Sequence, residues 1–120
     1  MLELKDKMRI VQELVPGKQV TLCHIIANPD EVLFTKLGLD PKTDYTKSAI
    51  GVLTISPAES AVIAADIAIK SSNADIGFVD RFTGTLIISG SVSAVESSFT
   101  AIREYVINKL GYTCCDLTRT

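Results

Sequence analysis

The strongest constraint on the fold of this chain is the spacing of apolar residues between Ser91 and Gly111. Apolar side chains recur there at every third or fourth position: Val92, Val95, Phe99, Ile102, Val106 and Leu110. This is the period of one face of an amphipathic helix. Ser91 or Ser93 can cap its start, the latter with Glu96 completing a capping box, and Gly111 suits the left-handed position after its end. The pattern predicts a long helix over residues 91–111.

A second helix is predicted over residues 57–71. Ser56 supplies a hydroxyl for the N-cap, a proline follows at the first helical position, and Glu59 can reach back to the N-cap amide. Within this segment Asp66 and Lys70 stand four residues apart. We expect them to form a favourable ion pair on the solvent side of the helix.

The N-terminal half of the chain has weaker signals. Asn28 as an N-cap and Gly38 as a stop predict a short helix, and the polar residues 39–47 predict a surface loop. Residues 9–15 fit either an N-terminal helix or a strand that ends before a Pro-Gly pair. The local pattern does not distinguish these two alternatives.

Strands are predicted in the intervals between the helices. Residues 19–27 alternate in polarity, with one face formed by Val20, Leu22, His24 and Ile26. Further strands are predicted over residues 49–55, 74–79, 85–89 and 112–118. Residues 81–84 predict a hairpin turn between two of them. The order strand, helix, strand, strand, helix predicts an α+β sandwich in which helices pack on one sheet.

Length and composition restrict the class of protein. The 120 residues are 47% hydrophobic and 22% charged, as expected of one globular domain. The net charge of -2 comes from interspersed charges of both signs, which excludes a basic surface for nucleic acid or an anionic membrane. Neither a membrane span nor a secretory signal is predicted, so we expect a cytoplasmic protein. The mean hydropathy of +0.29 indicates that apolar surface is buried against another subunit.

The residues capable of catalysis or metal binding do not form a recognisable site. His24 is the only histidine and stands among apolar residues, so we interpret it as a hydrogen-bonded histidine in or beside the core. Cys114 and Cys115 are adjacent and Cys23 is distant, with no spacing typical of a zinc site, and we interpret them as reduced thiols. An enzyme that uses His24 with Cys23 or Cys115 is the least favoured hypothesis. We expect no catalytic residues, no metal and no cofactor.

Three segments resemble shell proteins of bacterial microcompartments: VPGKQVTL at residues 15–22, GFVDRFTG at residues 77–84 and GSVSAVE at residues 90–96. The resemblance is to the circularly permuted single-domain class (the EutS/PduU type), found in ethanolamine- and propanediol-utilisation compartments, and it covers residues 8–120. Residues 24–29 (HIIANP) are similar to a segment that unpermuted members carry near the other end of the chain. This displacement is typical of a circular permutation, which a compact domain tolerates because its termini lie close together.

The resemblance implies a permuted BMC-domain sandwich, an antiparallel sheet with helices packed on it. It also implies cyclic hexamers that tile the shell around encapsulated enzymes, within the bacterial cytoplasm. Residues 8–120 form the single domain, preceded by a tail over residues 1–7. The implied partners are other copies of the chain, other shell proteins and the encapsulated enzymes.

In permuted members, the residues before the Pro-Gly pair form an intersubunit β-barrel that caps the central pore. By this resemblance residues 8–15 are the barrel strand. The candidate lid residues are Arg9, Ile10, Val11, Gln12, Glu13, Leu14 and Val15.

The resemblance also implies roles at the pore and at the hexamer edge. The candidate pore residues are Arg81, Phe82, Thr83 and Gly84. Lys70 and Asn28 occupy positions at the hexamer edge, where unpermuted relatives often carry an arginine in place of Asn28, so we expect a weaker contact there. The alternative function is a small-molecule-binding regulator on a similar α+β oligomer. The resemblance leaves the pathway open among choline, ethanolamine and propanediol utilisation.

Overall fold

A mixed sheet organises the part of the chain that the structure describes. The computed structural model describes residues 17–42, 45 and 48–120. Its strands are β1 (Gln19–Ile26), β2 (Ala49–Ser56), β3 (Asp75–Asp80), β4 (Thr85–Gly90), β5 (Thr113–Cys114) and β6 (Thr118–Arg119). Their order across the sheet is β3-β4-β2-β1-β5, and β6 also pairs with β1. The pairs among the first four are antiparallel, whereas β5 and β6 run parallel to β1.

The predicted α+β class is confirmed, with helices on this sheet. In the described residues the helices are α1 (Glu31–Lys36), α2 (Ser60–Ser71) and α3 (Val92–Asn108). The predicted tail over residues 1–7 and the predicted barrel strand over residues 8–15 lie outside the described residues.

Helices α2 and α3 cover one face of the sheet. Four of the six apolar positions that the sequence predicts as one face are buried, namely Val95, Phe99, Ile102 and Val106, whereas Val92 and Leu110 are partly buried. A glycine in β2 allows this close approach, because a Cβ atom at Gly51 would lie 2.6 Å from Cζ of Phe99. The inner face of α2 is made of alanines, so it also packs closely. The two helices are joined where the Ser98 hydroxyl donates to the Ala68 carbonyl oxygen at 3.2 Å.

Of the three N-cap residues that the sequence predicts, the structure confirms one. The Ser91 hydroxyl caps α3 by accepting a hydrogen bond from the Ala94 amide at 3.1 Å, as predicted. The prediction of Ser56 as the cap of α2 is wrong, because Ser56 is the last residue of β2 and the helix begins only at Ser60. The prediction of Asn28 as the cap of α1 is also wrong. Asp30 takes this role, and its carboxylate accepts from the Val32 amide at 3.0 Å.

The predicted single apolar face of β1 is wrong because the strand contains a β-bulge. Its pairing register with β2 shifts between Val20 and Leu22. A bulge inserts one residue into the alternation, so side chains beyond it change face. Cys23 therefore lies in the core under the helices, whereas Leu22 is exposed and His24 is half-buried.

Among the described residues, α1 and the segment after it cover part of the other face of the sheet. Phe34 of α1 and Leu39 after it pack on Ile50 of β2 in a second apolar cluster. The Phe34 ring stacks on Tyr45, with ring centroids 4.5 Å apart. This cluster lies at the end of β1 that leads into α1.

Strand register defines two ends of the sheet, which we call the turn end and the far end. The turn end holds the start of β1, the end of β2 and the β3–β4 turn, because Gln19 pairs with Ser56 and Thr85 pairs with Thr54. The far end holds the start of β2, where Ala49 pairs with Gly90. β2 has eight residues, so its ends are about 23 Å apart at about 3.3 Å per residue.

Candidate functional site

The β3–β4 turn at residues 81–84 is held by the carboxylate of Asp80. Its Oδ1 accepts a hydrogen bond from the Phe82 amide at 2.8 Å, and its Oδ2 accepts from the Thr83 hydroxyl at 2.9 Å. These hydrogen bonds lower the pKa of the Asp80 carboxyl below its ordinary value, and the bond from the Phe82 amide has the largest effect. The sequence prediction of the turn omitted Asp80. The signal was present, because an aspartate side chain at the start of a turn commonly accepts a hydrogen bond from the backbone amide two residues on, which forms an Asx turn.

Gly84 fixes this turn against the end of β2. It has a φ of 77°, a left-handed conformation that side chains disfavour, and its carbonyl oxygen accepts from the Ile55 amide at 2.9 Å. A Cβ atom at this position would lie 2.1 Å from the carbonyl oxygen of Ile55. Only glycine fits here, so the turn has a defined position at the turn end of the sheet.

The tip of the turn presents an aromatic ring and a cation to solvent. The Phe82 side chain is 80% exposed, and the Arg81 guanidinium lies 5.0 Å from the centre of its ring. Such a contact is an exposed cation–π interaction. The four candidate pore residues therefore form one ordered turn.

The two candidate edge residues lie at the opposite end of the sheet. Lys70 is in the last turn of α2, where its Nζ lies 2.9 Å from Oδ2 of Asp66, as the sequence predicts. Asp66 raises the pKa of Lys70, although the pair is exposed to solvent. Asn28 is exposed just beyond β1, whose last residue Ile26 pairs with Ile50 at the far end. The structure brings the two edge candidates to the far end and separates them from the pore candidates.

His24 is tied to the C-terminal strand. Its Nδ1 shares a hydrogen bond of 2.6 Å with the Thr118 hydroxyl, and its Nε2 shares one of 2.9 Å with the Thr120 hydroxyl. Because both ring nitrogens have partners on residues next to β1, the arrangement is that of a structural histidine.

Cys23 and Cys115, the two thiols considered as partners of His24, lack the properties of a nucleophile. Burial raises the pKa of the Cys23 thiol from 9.0 to about 12, and its side chain faces the core while the neighbouring His24 faces the other way. Burial is also the main reason that the pKa of Cys115 is raised. Neither thiol is activated for catalysis.

The described residues contain neither a metal-binding group of side chains nor a membrane-spanning helix. Across residues 17–42, 45 and 48–120, no three side chains of histidine, cysteine, aspartate or glutamate are grouped so that they hold a metal ion. No helix in this part of the chain has the length and hydrophobicity required to cross a membrane.

Comparison with known proteins places these features in context. The model of the BMC domain family matches residues 49–115. The chain is 51% identical over 112 residues to the bacterial microcompartment shell protein PduU of Salmonella typhimurium, a match that covers 93% of each protein. The strand β1 precedes the matched segment in the chain, yet it pairs with β2 in the interior of the sheet.

Two solved structures of one shell protein are similar to this fold. The CutR flat hexamer, form 1, superimposes with a TM-score of 0.80 at 48% sequence identity, covering 88% of this chain and 94% of that one. The CutR screw, form 1, with a pitch of 41.9 Å, gives a TM-score of 0.77 at 48% identity, covering 88% and 100%.

Proposed function

The chain belongs to the BMC-domain family of bacterial microcompartment shell proteins, and from this premise we propose that it is a structural tile. Six copies form a ring, and the rings lie edge to edge in the shell around encapsulated enzymes. Its partners are other copies, other shell proteins and those enzymes, and its place is the shell inside the bacterial cell. It needs no cofactor and catalyses no reaction.

The observation that carries this proposal is the separation of two sets of residues along one sheet. The candidate pore turn, residues 81–84, is at the turn end, whereas Lys70 and Asn28 are at the far end. A tile in a ring needs one end at the central axis and the other at the rim. A rigid β2 of about 23 Å connects the two.

The path of the chain supports a lid over the pore. Residues 8–15 precede β1 in the sequence, and the first residue of β1, Gln19, is at the turn end. The strand order places only β2 between β1 and β4, so the start of β1 is about 10 Å from the start of β4. We propose that residues 8–15 of six copies form a barrel above the turns of residues 81–84.

The far end supports contacts between rings. Lys70 follows Ile69, an exposed isoleucine in the last turn of α2. An exposed apolar side chain beside a cation with a long alkyl stem suits a contact that is partly buried. We propose that Lys70 lies across the edge shared by two rings, with Asn28 as a neutral neighbour.

The mass of the protein in solution tests the tile. We expect multi-angle light scattering to give about 77 kDa, six times 12.9 kDa, and electron microscopy of concentrated protein to show sheets or tubes. Monomers or dimers throughout the micromolar range, with no extended assemblies, would contradict the proposal. Calorimetric titration with nucleotides and metabolites provides a second check, because stoichiometric binding would favour a regulator over a tile.

A further inference from the structure

Three exposed apolar residues are at the turn end on the helix side of the sheet. Val62 and Ile63 are in the first turn of α2, and Val79 is near the end of β3, where it pairs with Leu86 of the helix-covered core. Their side chains are between 41% and 53% exposed. We call these three residues the helix patch.

A second apolar surface lies on the opposite face, from the middle of the sheet toward the turn end. Leu22 and Phe78 are 42% and 46% exposed. Phe78 pairs with Ile87, which in turn pairs with Val52, and both of these half-buried residues contact the cluster under α1. We call Leu22, Val52, Phe78 and Ile87 the sheet patch. Among the described residues, α1 and the loop after it pack against Val52 and Ile87 but leave Leu22 and Phe78 exposed.

Two unlike patches on opposite faces fit one kind of contact. A ring is built by a head-to-tail contact in which each copy uses two different surfaces, and the same contact gives an open helical array if the rotation does not close. CutR, which shares 48% of its residues with this chain, has both a flat hexamer and a screw. A contact between unlike surfaces accounts for both forms of that protein.

The position of the patches suits the two sides of a copy that face its neighbours in a ring. Each copy in a ring of six occupies about 60°, and neighbouring copies approach closely near the axis. The helix patch is at the turn end, which the proposed function assigns to the axis, and the sheet patch extends from the middle of the sheet toward this end, because Leu22 pairs with Thr54.

From these observations we propose that the helix patch of one copy packs on the sheet patch of the next copy. This inference rests on the proposed ring and names the surfaces that close it. The occupant of each patch is a second copy of the same chain.

Two complementary variants test the contact. Val62→Asp damages the helix patch and leaves the sheet patch intact, whereas Phe78→Asp does the reverse. We expect each variant alone to lose the ring and to be monomeric, because a desolvated carboxylate opposes the contact. In a one-to-one mixture, the intact helix patch of Phe78→Asp can still pack on the intact sheet patch of Val62→Asp. We therefore expect native mass spectrometry to find a heterodimer of about 26 kDa and no ring.

A matched control separates this effect from added surface charge. Val32 in α1 is 55% exposed and belongs to neither patch. Val32→Asp should keep the mass of the ring. Circular dichroism of all three variants establishes that they fold.

Cross-linking in the otherwise unaltered ring covers the case in which an aspartate variant does not fold. A photoreactive benzoyl-phenylalanine in place of Phe78 preserves an aromatic ring at this position. We expect irradiation to link it to a peptide from α2 of a neighbouring copy. A link to the sheet patch of the neighbour would overturn the proposal.

The remaining outcomes separate the contact from the ring itself. If wild-type protein is monomeric, the proposed function fails. If the wild-type ring forms and both aspartate variants keep it, the ring stands and the assigned surfaces are wrong. Homodimers of Phe78→Asp would show that helix patches pair with each other, which also overturns the proposal. If Phe78→Asp lowers the melting temperature but leaves the mass of the ring unchanged, the sheet patch would instead be assigned to a contact with the N-terminal segment of the same chain.

Discussion

The amide of Ile55 donates a hydrogen bond of 2.9 Å to the carbonyl oxygen of Gly84, and this bond joins the end of β2 to the β3–β4 turn. It makes the turn part of the sheet, so the tip at Arg81 and Phe82 has a defined position relative to the strand interior. A turn that six copies present to one axis has to be placed in this way.

Gly84→Ala should destabilise the fold by about 2–5 kcal/mol. The left-handed backbone costs a non-glycine residue about 1–2 kcal/mol, and the clash with the Ile55 carbonyl oxygen adds about 1–3 kcal/mol. Urea unfolding at fixed protein concentration measures the loss. Gly38→Ala is the matched control, because Gly38 has a φ of 71° with nothing within 4 Å of its added Cβ. Equal losses in the two variants would contradict the role of the close approach.

Asp80→Asn should reduce the acid dependence of stability. Hydrogen bonds to the carboxylate lower the pKa of Asp80 in the folded state, so its stabilising contribution is present above the unfolded pKa of about 3.9 and is lost as the pH falls through the folded pKa. The free energy of unfolding, measured from pH 7 to pH 2, should fall less steeply in the variant below pH 4. Parallel curves for the two proteins would show that the turn does not depend on this charge.

Cys23→Ala should flatten the stability curve at alkaline pH. The pKa of Cys23 is raised to about 12 by burial, so the folded state keeps a proton that the unfolded thiol loses above about pH 9. Stability from this group is complete below pH 9 and decreases as the pH rises toward 12. Thermal unfolding between pH 8 and pH 11 compares the slopes. The same burial predicts that a disulfide reagent modifies the half-exposed Cys114 and Cys115 before Cys23, and rapid modification of Cys23 in native protein would refute the assignment.

Deletion of residues 1–14 should leave the ring intact and open its axis. The contacts proposed between copies lie in the sheet and α2, whereas the proposed lid is built from residues 8–15. Light scattering should still give a six-membered ring, and averaged electron micrographs should lose density over the centre. Failure of the truncated chain to assemble would refute the assignment of these residues to a lid, as would axial density that persists.

The sequence predicted those elements that depend on close neighbours in the chain. The face of α3 follows from a three-to-four residue period, and its start follows from a hydroxyl that reaches an amide three residues away, as Ser91 reaches Ala94. The hairpin between β3 and β4 follows from the turn residues between two apolar runs. The ion pair between Asp66 and Lys70 has the same local origin.

The errors occurred where a local signal competed with the sheet. Ser56 has the composition of a cap, yet its backbone belongs to β2, because pairing with Gln19 extends the strand to this residue. Asn28 and Asp30 both have side chains suited to an N-cap. Asp30 takes this role because its extended backbone allows its carboxylate to accept a hydrogen bond from the Val32 amide in the first turn of α1. The roles of Lys70, Asn28 and residues 81–84 came from resemblance to a family, since no spacing in the chain connects them.

Local spacing thus sufficed for the presence and chain order of the helices and of β1 to β4, because the energetics of these elements act within a few residues. The single strand predicted over residues 112–118 is instead two short strands, β5 and β6. Partners more than 30 residues apart determined the rest. The register of β1 on β2 places a bulge before Cys23, and this single inserted residue buries the thiol and turns His24 toward the C-terminal strand. The same long-range register puts the pore turn and the edge lysine at opposite ends of one sheet, since pairing energy is gained only after distant segments meet.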